Sequence, residues 1–392
     1  MVAALPGRRV TLVLVDGAGA VLGQLPPFAV ATPWWQDVEP VRASHPEVTV
    51  LRLLDATPAP GHEMGGDVRY VGEAADGAGA ANGRLAPVDA ATREAVERES
   101  ALRLPWARPG GPAADLAWAT AHIALAAPAQ QVRSWNLSSI WRLPQADGRA
   151  AWLKCVPGFL AHEAVVLDHL AGRQVPVVLA AEGHRMLLGE LPGVDGYGAD
   201  AEEQRAIVDA HVELAASTIG ATHGLLDAGV PDWRPGSFLR RATPVVRTRA
   251  KGDDVLAHFL DTWALRWAAI DECGLPDVLI HGDPHPGNAR IGVDPPIIFD
   301  WGNSGIGHPL LDLGGSEPAL DEYWLDRWAA TVPGSDPHRA WTLLRPLAVL
   351  RRAVVFQRFL DGIEPSERVY HAGDVDPYLV LASTLLDADD NW

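Results

Sequence analysis

Two short apolar runs, residues 278–280 and 297–299, each pass without a break into polar residues, and this constrains the chain more than any other feature. Ile280 is followed by His281, Gly282, Asp283, Pro284, His285, Pro286, Gly287 and Asn288, and Phe299 by Asp300 and Trp301. A strand that ends in this way holds the polar groups rigidly at its tip and turns them towards a cleft. A carboxylate, an amide five residues on and a second carboxylate beyond a hairpin can converge on one divalent cation. Hard cations such as Mg²⁺ take oxygen ligands of this kind, usually one or two carboxylates together with substrate phosphates. The remaining carboxylate is then free to orient a hydroxyl and accept its proton. The histidines admit another reading, because His281, Asp283 and His285 also have the spacing of a transition-metal cluster in a hydrolase.

The full pattern resembles a known family. His281-Gly-Asp283-x-His285-x-x-Asn288, then Asp300-Trp301, then Gly307-x-Pro309-x-x-Asp312-Leu313, is similar to the signature of the aminoglycoside phosphotransferase and choline kinase-like enzymes. These are small-molecule relatives of the protein kinases. The resemblance implies an α+β, bilobal protein kinase-like fold. Asp283 is then the catalytic base, Asn288 and Asp300 bind Mg²⁺, His281 and His285 support the loop, and Asp312 braces it from below. It also implies ATP or GTP as phosphoryl donor and a small-molecule hydroxyl as acceptor. Acceptors in the family include aminoglycosides, sugars, amino sugars and amino alcohols. A kinase-fold sensor that binds nucleotide without turnover is the alternative, and the intact Lys154, Asp283, Asn288 and Asp300 set argues against it.

A kinase-like lobe needs a strand lysine for the α- and β-phosphates, paired to a glutamate on the next helix. Lys154 lies inside the apolar strand 151–156, where an unpaired ammonium is costly. Glu163 opens the following helix, whose apolar residues recur at three and four positions as one helix face requires. The hairpin before Lys154 places Ser138 and Ser139 where the phosphate-covering loop belongs, and Glu190 with Leu191 matches the hinge that meets the purine. Outside that context Lys154 reads as a snorkelling edge residue, Glu163 as a solvated helix residue and the serines as turn residues. The resemblance spans residues 130–390.

Texture divides the chain into three. Residues 1–126 alternate short β-type runs with turns and then give two helical stretches around a Pro/Gly cluster at 105–112; they form an accessory α/β domain with no motif of their own. Residues 127–192 read as the nucleotide-binding, sheet-rich lobe, and 193–392 as a helical lobe with helices expected at 201–226, 254–272, 317–331, 337–360 and 376–388. Of the 15 tryptophans, Trp263 with Trp267 and Trp324 with Trp328 share helix faces, a pattern of core packing. Asp321, Glu322 and Asp326 read as a solvated surface rather than an acidic substrate pocket.

Composition narrows the partners. With 32 Lys and Arg against 50 Asp and Glu, the net charge is −18, which repels nucleic acid and anionic lipid. It suits a cationic ligand, or an anionic one met through Mg²⁺, and leaves the oligomeric state open. Two cysteines exclude a disulfide framework and a Cys-rich zinc site. No apolar stretch approaches the roughly 20 residues of a membrane helix, and a cytoplasmic protein is expected.

Overall fold

Apolar residues at the successive positions 12–15 cannot all face one side of a strand, so this segment must be covered on both faces. The computed structural model, which describes residues 6–75, 85–314 and 318–388, shows how. Strand β1 (Arg8–Val15) lies inside a mixed sheet with β2 (Val21–Gln24), β3 (Phe28–Val30), β4 (Val48–Thr57) and β5 (Gly66–Ala74). It runs parallel to β5, from Arg8 opposite Gly66 to Val15 opposite Glu73. Val10, Leu12 and Leu14 pack with Trp35, Val50 and Tyr70 on one face, and Val13 and Val15 with Leu51, Val71 and Val96 on the other. Helix α1 (Glu39–Ser44) supplies Val41 to the first cluster, and α2 (Ala90–Glu97), capped by Asp89 on the Thr92 N–H, supplies Val96 to the second. The chain separates into two compact units, the first comprising Met1–Ala161, Leu179–Glu190 and Leu360–Ala372.

The same unit holds a second sheet. Helix α3 (Gly111–His122) precedes β6 (Gln130–Ser134), β7 (Ser139–Pro144), β8 (Ala150–Cys155), β9 (Val178–Glu182) and β10 (Arg185–Gly189), hydrogen-bonded in the order β6-β7-β8-β10-β9. The expected hairpin between β7 and β8 is present, and Asp147 accepts the Arg149 N–H at 3.0 Å in its turn. Main chain and side chain tie the two sheets together. Val38 N–H donates to the Val132 carbonyl at 3.1 Å, and the Gln131 amide bonds both the N–H and the C=O of Val50, at 3.0 and 2.7 Å.

Segment Leu360–Ala372 also belongs to this unit, which local periodicity gave no means of foreseeing. Glu364 accepts from Arg103 Nε at 3.0 Å, Tyr370 packs edge-on against Trp35 and Trp135, and Leu53 N–H donates to Glu367 Oε1 at 3.4 Å. Burial, reinforced by Glu364, pushes the Glu367 carboxyl up from 4.5 to about 8. Between those values the folded chain keeps a proton that the unfolded chain has released, so this group makes stability fall as pH rises through the window. Glu367→Gln, neutral throughout, should lose that slope. Thermal midpoints at about pH 5, 7 and 9 are expected to show a variant advantage that grows towards pH 9; a constant offset would contradict the assignment.

The second unit comprises His162–Val178, Leu191–Phe359 and Gly373–Trp392. It contains the helices α4 (Glu163–His169), α5 (Ala201–Ala216), α6 (Thr222–Asp227), α7 (Pro235–Arg249), α8 (Asp254–Asp271), α9 (Pro318–Thr331), α10 (Pro337–Gly362) and α11 (Val375–Asp387). Short strands β11 (Val194–Asp195), β13 (Ala289–Ile291) and β14 (Ile297–Ile298) form one ladder, and β12 (Val278–Ile280) pairs antiparallel with β15 (Gly305–Gly307). Asp200 caps α5 in a reciprocal box with Glu203. The single helix expected over 201–226 is two. Thr218 turns its hydroxyl onto the Ala215 carbonyl at 2.6 Å and accepts the Leu279 N–H at 2.9 Å, and Gly220 follows with φ +83°. Helix α7 is not among the helices expected from sequence; Pro235 takes its first helical position, where no N–H is needed. Position 317, the expected start of the next helix, lies outside the described residues. Trp233, Trp263, Trp267, Trp324 and Trp328 are all buried, as core packing required. No helix among the described residues is long and apolar enough to cross a membrane.

Candidate active site

Strand β12 delivers its last residue, Ile280, into a loop whose backbone is held at every step. Asp312, 8 % exposed, accepts the His281 N–H at 2.7 Å on one carboxylate oxygen and the Gly282 N–H at 2.8 Å on the other. Gly282 has φ +87°, and a Cβ there would lie 2.1 Å from the Asn303 carbonyl oxygen, so only glycine fits. The His281 ring continues the brace. Its Nδ1 accepts the Asp283 N–H at 3.3 Å, which leaves the proton on Nε2 to donate to the Phe299 carbonyl at 3.0 Å. One imidazole thus ties the Asp283 loop to the residue before Asp300. Burial lowers the pKa of His281, which keeps that neutral tautomer. With both nitrogens engaged, His281 has none left to bind a metal, which counts against the hydrolase reading. Among the described residues, the His, Cys and carboxylate atoms with metal-ligand spacing are those of Asp115, Cys155 and His184, on the second sheet of the first unit.

The candidate reacting groups stand on this frame. The Asp283 carboxylate is half exposed. Asn288, held in a 3-10 turn by its N–H to the His285 carbonyl at 2.9 Å, directs its Nδ2 to the Asp283 carbonyl at 3.0 Å and to Asp283 Oδ2 at 3.3 Å. That orientation leaves the amide oxygen, Oδ1, as a ligand. His285 accepts the Gly287 N–H on Nδ1, stacks on Tyr197 with ring centroids 6.0 Å apart, and holds its Nε2 3.7 Å from Asp283 Oδ2. Asp300 adopts φ +65°, the one non-glycine residue with positive φ among those described, and its side chain is exposed. Strained backbone of this kind persists only where surrounding structure imposes it. Here Phe299 N–H bonds the Asn288 carbonyl at 2.9 Å on one side, and Trp301 N–H donates to Glu163 Oε1 at 3.2 Å on the other.

Within the second unit the structure therefore brings together Glu163, His281, Asp283, His285, Asn288, Asp300 and Asp312. Sequence reasoning missed Arg351. Its guanidinium, fully buried in α10, donates to the Gly282 carbonyl at 3.2 Å and the Asn303 carbonyl at 2.8 Å, and it packs over Trp233 at 4.7 Å. Burial lowers its pKa to about 10, which leaves it charged at neutral pH. The available signal was helix spacing, which puts Arg351 seven positions after Leu344, four after Leu347 and three after Ala348, all core residues.

Residues 156–332 match the phosphotransferase enzyme family. Over that segment the chain is similar to the family whose motifs its sequence carries. No curated protein matches the chain. Among solved structures, a choline/ethanolamine kinase family protein from Mesorhizobium loti is similar at 16 % identity and TM-score 0.51, over 70 % of this chain and 96 % of that one. The GDP and kanamycin complex of APH(2″)-IIIa is similar at 12 % identity and TM-score 0.51, over 71 % and 99 %. At these identities the likeness establishes the fold, which is α+β and kinase-like. The match over residues 156–332 marks the chain as an enzyme of the phosphotransferase class.

The phosphotransferase carries its other expected site residues on the second sheet of the first unit and at its end. Lys154, half buried on β8, is paired across the sheet with Ile140 and Met186. Glu190 accepts the Ala150 N–H on Oε2 at 2.9 Å, closing β10 onto the start of β8, and Leu191 follows it, partly buried. Ser138 and Ser139 differ from expectation. Both are buried, and their hydroxyls accept indole N–H groups from Trp135 at 2.9 Å and Trp141 at 3.2 Å. These side chains serve the packing of the hairpin rather than facing a phosphate.

Proposed function

We propose that this phosphotransferase moves the γ-phosphoryl group of ATP or GTP to a hydroxyl of a small molecule, with Asp283 as base and Mg²⁺ as cofactor. The observation that carries the reading is the half-exposed Asp283 carboxylate on a loop whose backbone is pinned by Asp312, His281 and Arg351. In the proposed step the acceptor oxygen bonds to the γ-phosphorus, the bond to the bridging β-γ oxygen breaks, and the acceptor proton passes to Asp283. Little covalent chemistry is asked of the protein, so rate comes from positioning and charge neutralisation.

The donor set fits a hard cation, being oxygen throughout: Asn288 Oδ1 and the Asp300 carboxylate. Bound Mg²⁺ would supply neutralisation of the phosphate charge. Lys154 is the proposed cation for the triphosphate. Acceptors named for the structural neighbours, an aminoglycoside and small amino alcohols, set the first probes. Asp300→Asn, which tolerates the left-handed backbone, tests the metal assignment. Nucleotide affinity in the presence of Mg²⁺ is expected to fall about tenfold, a loss of about 1.4 kcal/mol, with metal-free affinity unchanged. Equal Mg²⁺-nucleotide affinity in variant and parent would remove Asp300 from that role.

A further inference from the structure

Three side chains with metal-ligating atoms converge in the first unit, from a helix, a strand and a turn. Asp115 lies on α3, Cys155 ends β8, and His184 closes the β9–β10 turn, directly after Gly183 at φ +59°. All three belong to that one unit. Local structure fixes two of them together. Cys155 pairs with Arg185 across the sheet, and the Val156 N–H donates to the His184 carbonyl at 2.9 Å, so thiol and imidazole ride on neighbouring backbone. Alternation along β8 sends Cys155 into the core that Trp106, Leu153 and Ala119 of α3 share, and Lys154 to the opposite face.

The donor atoms face one another. On Asp115, 3 % exposed, Oδ2 lies 3.4 Å from Cys155 Sγ and Oδ1 lies 3.0 Å from His184 Nε2. Sulfur, nitrogen and a carboxylate oxygen are all within 4.8 Å of one another. A tetrahedral zinc ion, with bonds of about 2.3 Å to sulfur and about 2.0–2.1 Å to nitrogen and oxygen, separates its donors by about 3.3–3.6 Å. The two separations from the carboxylate are already close to these values. The imidazole, on a turn and with its side chain 25 % exposed, is the group that moves to adjust the third.

Hydrogen bonding alone serves this carboxylate poorly. Among the described residues it accepts from one imidazole and from a thiol, a weak donor, and from no main-chain N–H. Arg185 offsets its charge from 3.7 Å, beyond hydrogen-bond reach, while held by Glu182 at 2.9 Å and by the Trp118 ring at 5.0 Å. The carboxylate lone pairs are thus open to a cation. A mixed sulfur, nitrogen and oxygen set suits zinc and not the hard Mg²⁺. We propose that Asp115, Cys155 and His184 bind one zinc ion, distinct from the Asn288 and Asp300 donor set, which clamps α3 to the strand that carries Lys154. Burial, with Asp115 alongside, keeps the metal-free thiol protonated. On binding, the S–H bond breaks, a zinc–sulfur bond forms and the proton passes to solvent. Water completes the coordination at the exposed edge of His184.

The test uses the full chain without an affinity tag, stripped by chelator and titrated with Co²⁺. Tetrahedral cobalt thiolates absorb by charge transfer in the near ultraviolet, and a set of oxygen ligands such as Asn288 and Asp300 does not. The band should saturate at one equivalent, disappear when Zn²⁺ is added and withstand excess Mg²⁺. Cys155→Ser should abolish it, and Cys273→Ser, at the only other cysteine, should retain it. His184→Phe keeps a ring against Trp106 but offers no nitrogen. It should weaken zinc at least about tenfold, which is about 1.4 kcal/mol, with the metal-free melting temperature held. No charge-transfer band with cobalt in excess, a band that survives Cys155→Ser, or unchanged zinc affinity in His184→Phe would overturn the proposal.

Discussion

Asp283→Ala is expected to lower turnover by about 10²–10⁴-fold, the range over which a positioned base contributes, with little change in folding. The two halves of this expectation have different structural origins. The carboxylate is half exposed, and its one bond with Asn288, at 3.3 Å, is the longer of the two that Asn288 makes to this residue. The shorter, at 3.0 Å, goes to the backbone carbonyl and survives the substitution. Asp312 and His281 hold the loop through main-chain N–H groups, which alanine retains. Stability should therefore change by less than about 1 kcal/mol, as for surface substitutions away from packed groups. Steady-state rates with purified variant and parent, alongside melting curves, make the comparison. Turnover within tenfold of the parent would deny Asp283 its role.

Asp312→Ala should act through stability first. The carboxylate accepts two buried main-chain N–H groups at 2.7 and 2.8 Å. Each would be left unpaired at a cost of about 1–3 kcal/mol, giving about 2–6 kcal/mol in all. Arg351, whose charge Asp312 favours, would lose that compensation as well. A loop released in this way no longer presents Asp283 in one position, so the surviving folded enzyme should also be slow. Asp312→Asn separates the effects, because one amide oxygen still accepts while the NH₂ faces a second donor; its stability should fall between parent and alanine variant. Denaturant midpoints check the order. A loss below about 1 kcal/mol in Asp312→Ala would show that the two bonds do not brace the loop.

The candidate groups of this site were legible because polar chemistry and local structure coincide there. Apolar strands that end in His281-Gly-Asp283 and Asp300-Trp301 announce both the strand and the polar loop at its tip. What stayed hidden depends on distant contacts. Arg351 is an ordinary helix residue until Gly282 and Asn303 present carbonyls to it. Glu163 is expected from sequence beside Lys154, and the Trp301 N–H it accepts, 138 positions on, cannot be read from spacing. Ser138 and Ser139 read as phosphate-loop or turn residues, whereas the indoles of Trp135 and Trp141 donate to their hydroxyls. In the fold, helices with clear periodicity were found, but α7 was obscured by proline at its first position and proline within it. The return of segment Leu360–Ala372 to the first unit rests on Glu364, Glu367 and Tyr370 meeting partners some 260 or more positions earlier, a relation with no local signature.

The most direct test of the central claim is acceptor-dependent release of nucleoside diphosphate, measured with Mg²⁺ and either ATP or GTP. The panel comprises aminoglycosides, amino sugars, sugars and amino alcohols, with Asp283→Ala run in parallel. The account predicts release that requires one acceptor class and Mg²⁺, accompanied by a phosphorylated acceptor and lost in the variant. A protein that binds neither nucleotide and releases no diphosphate with any acceptor would contradict it.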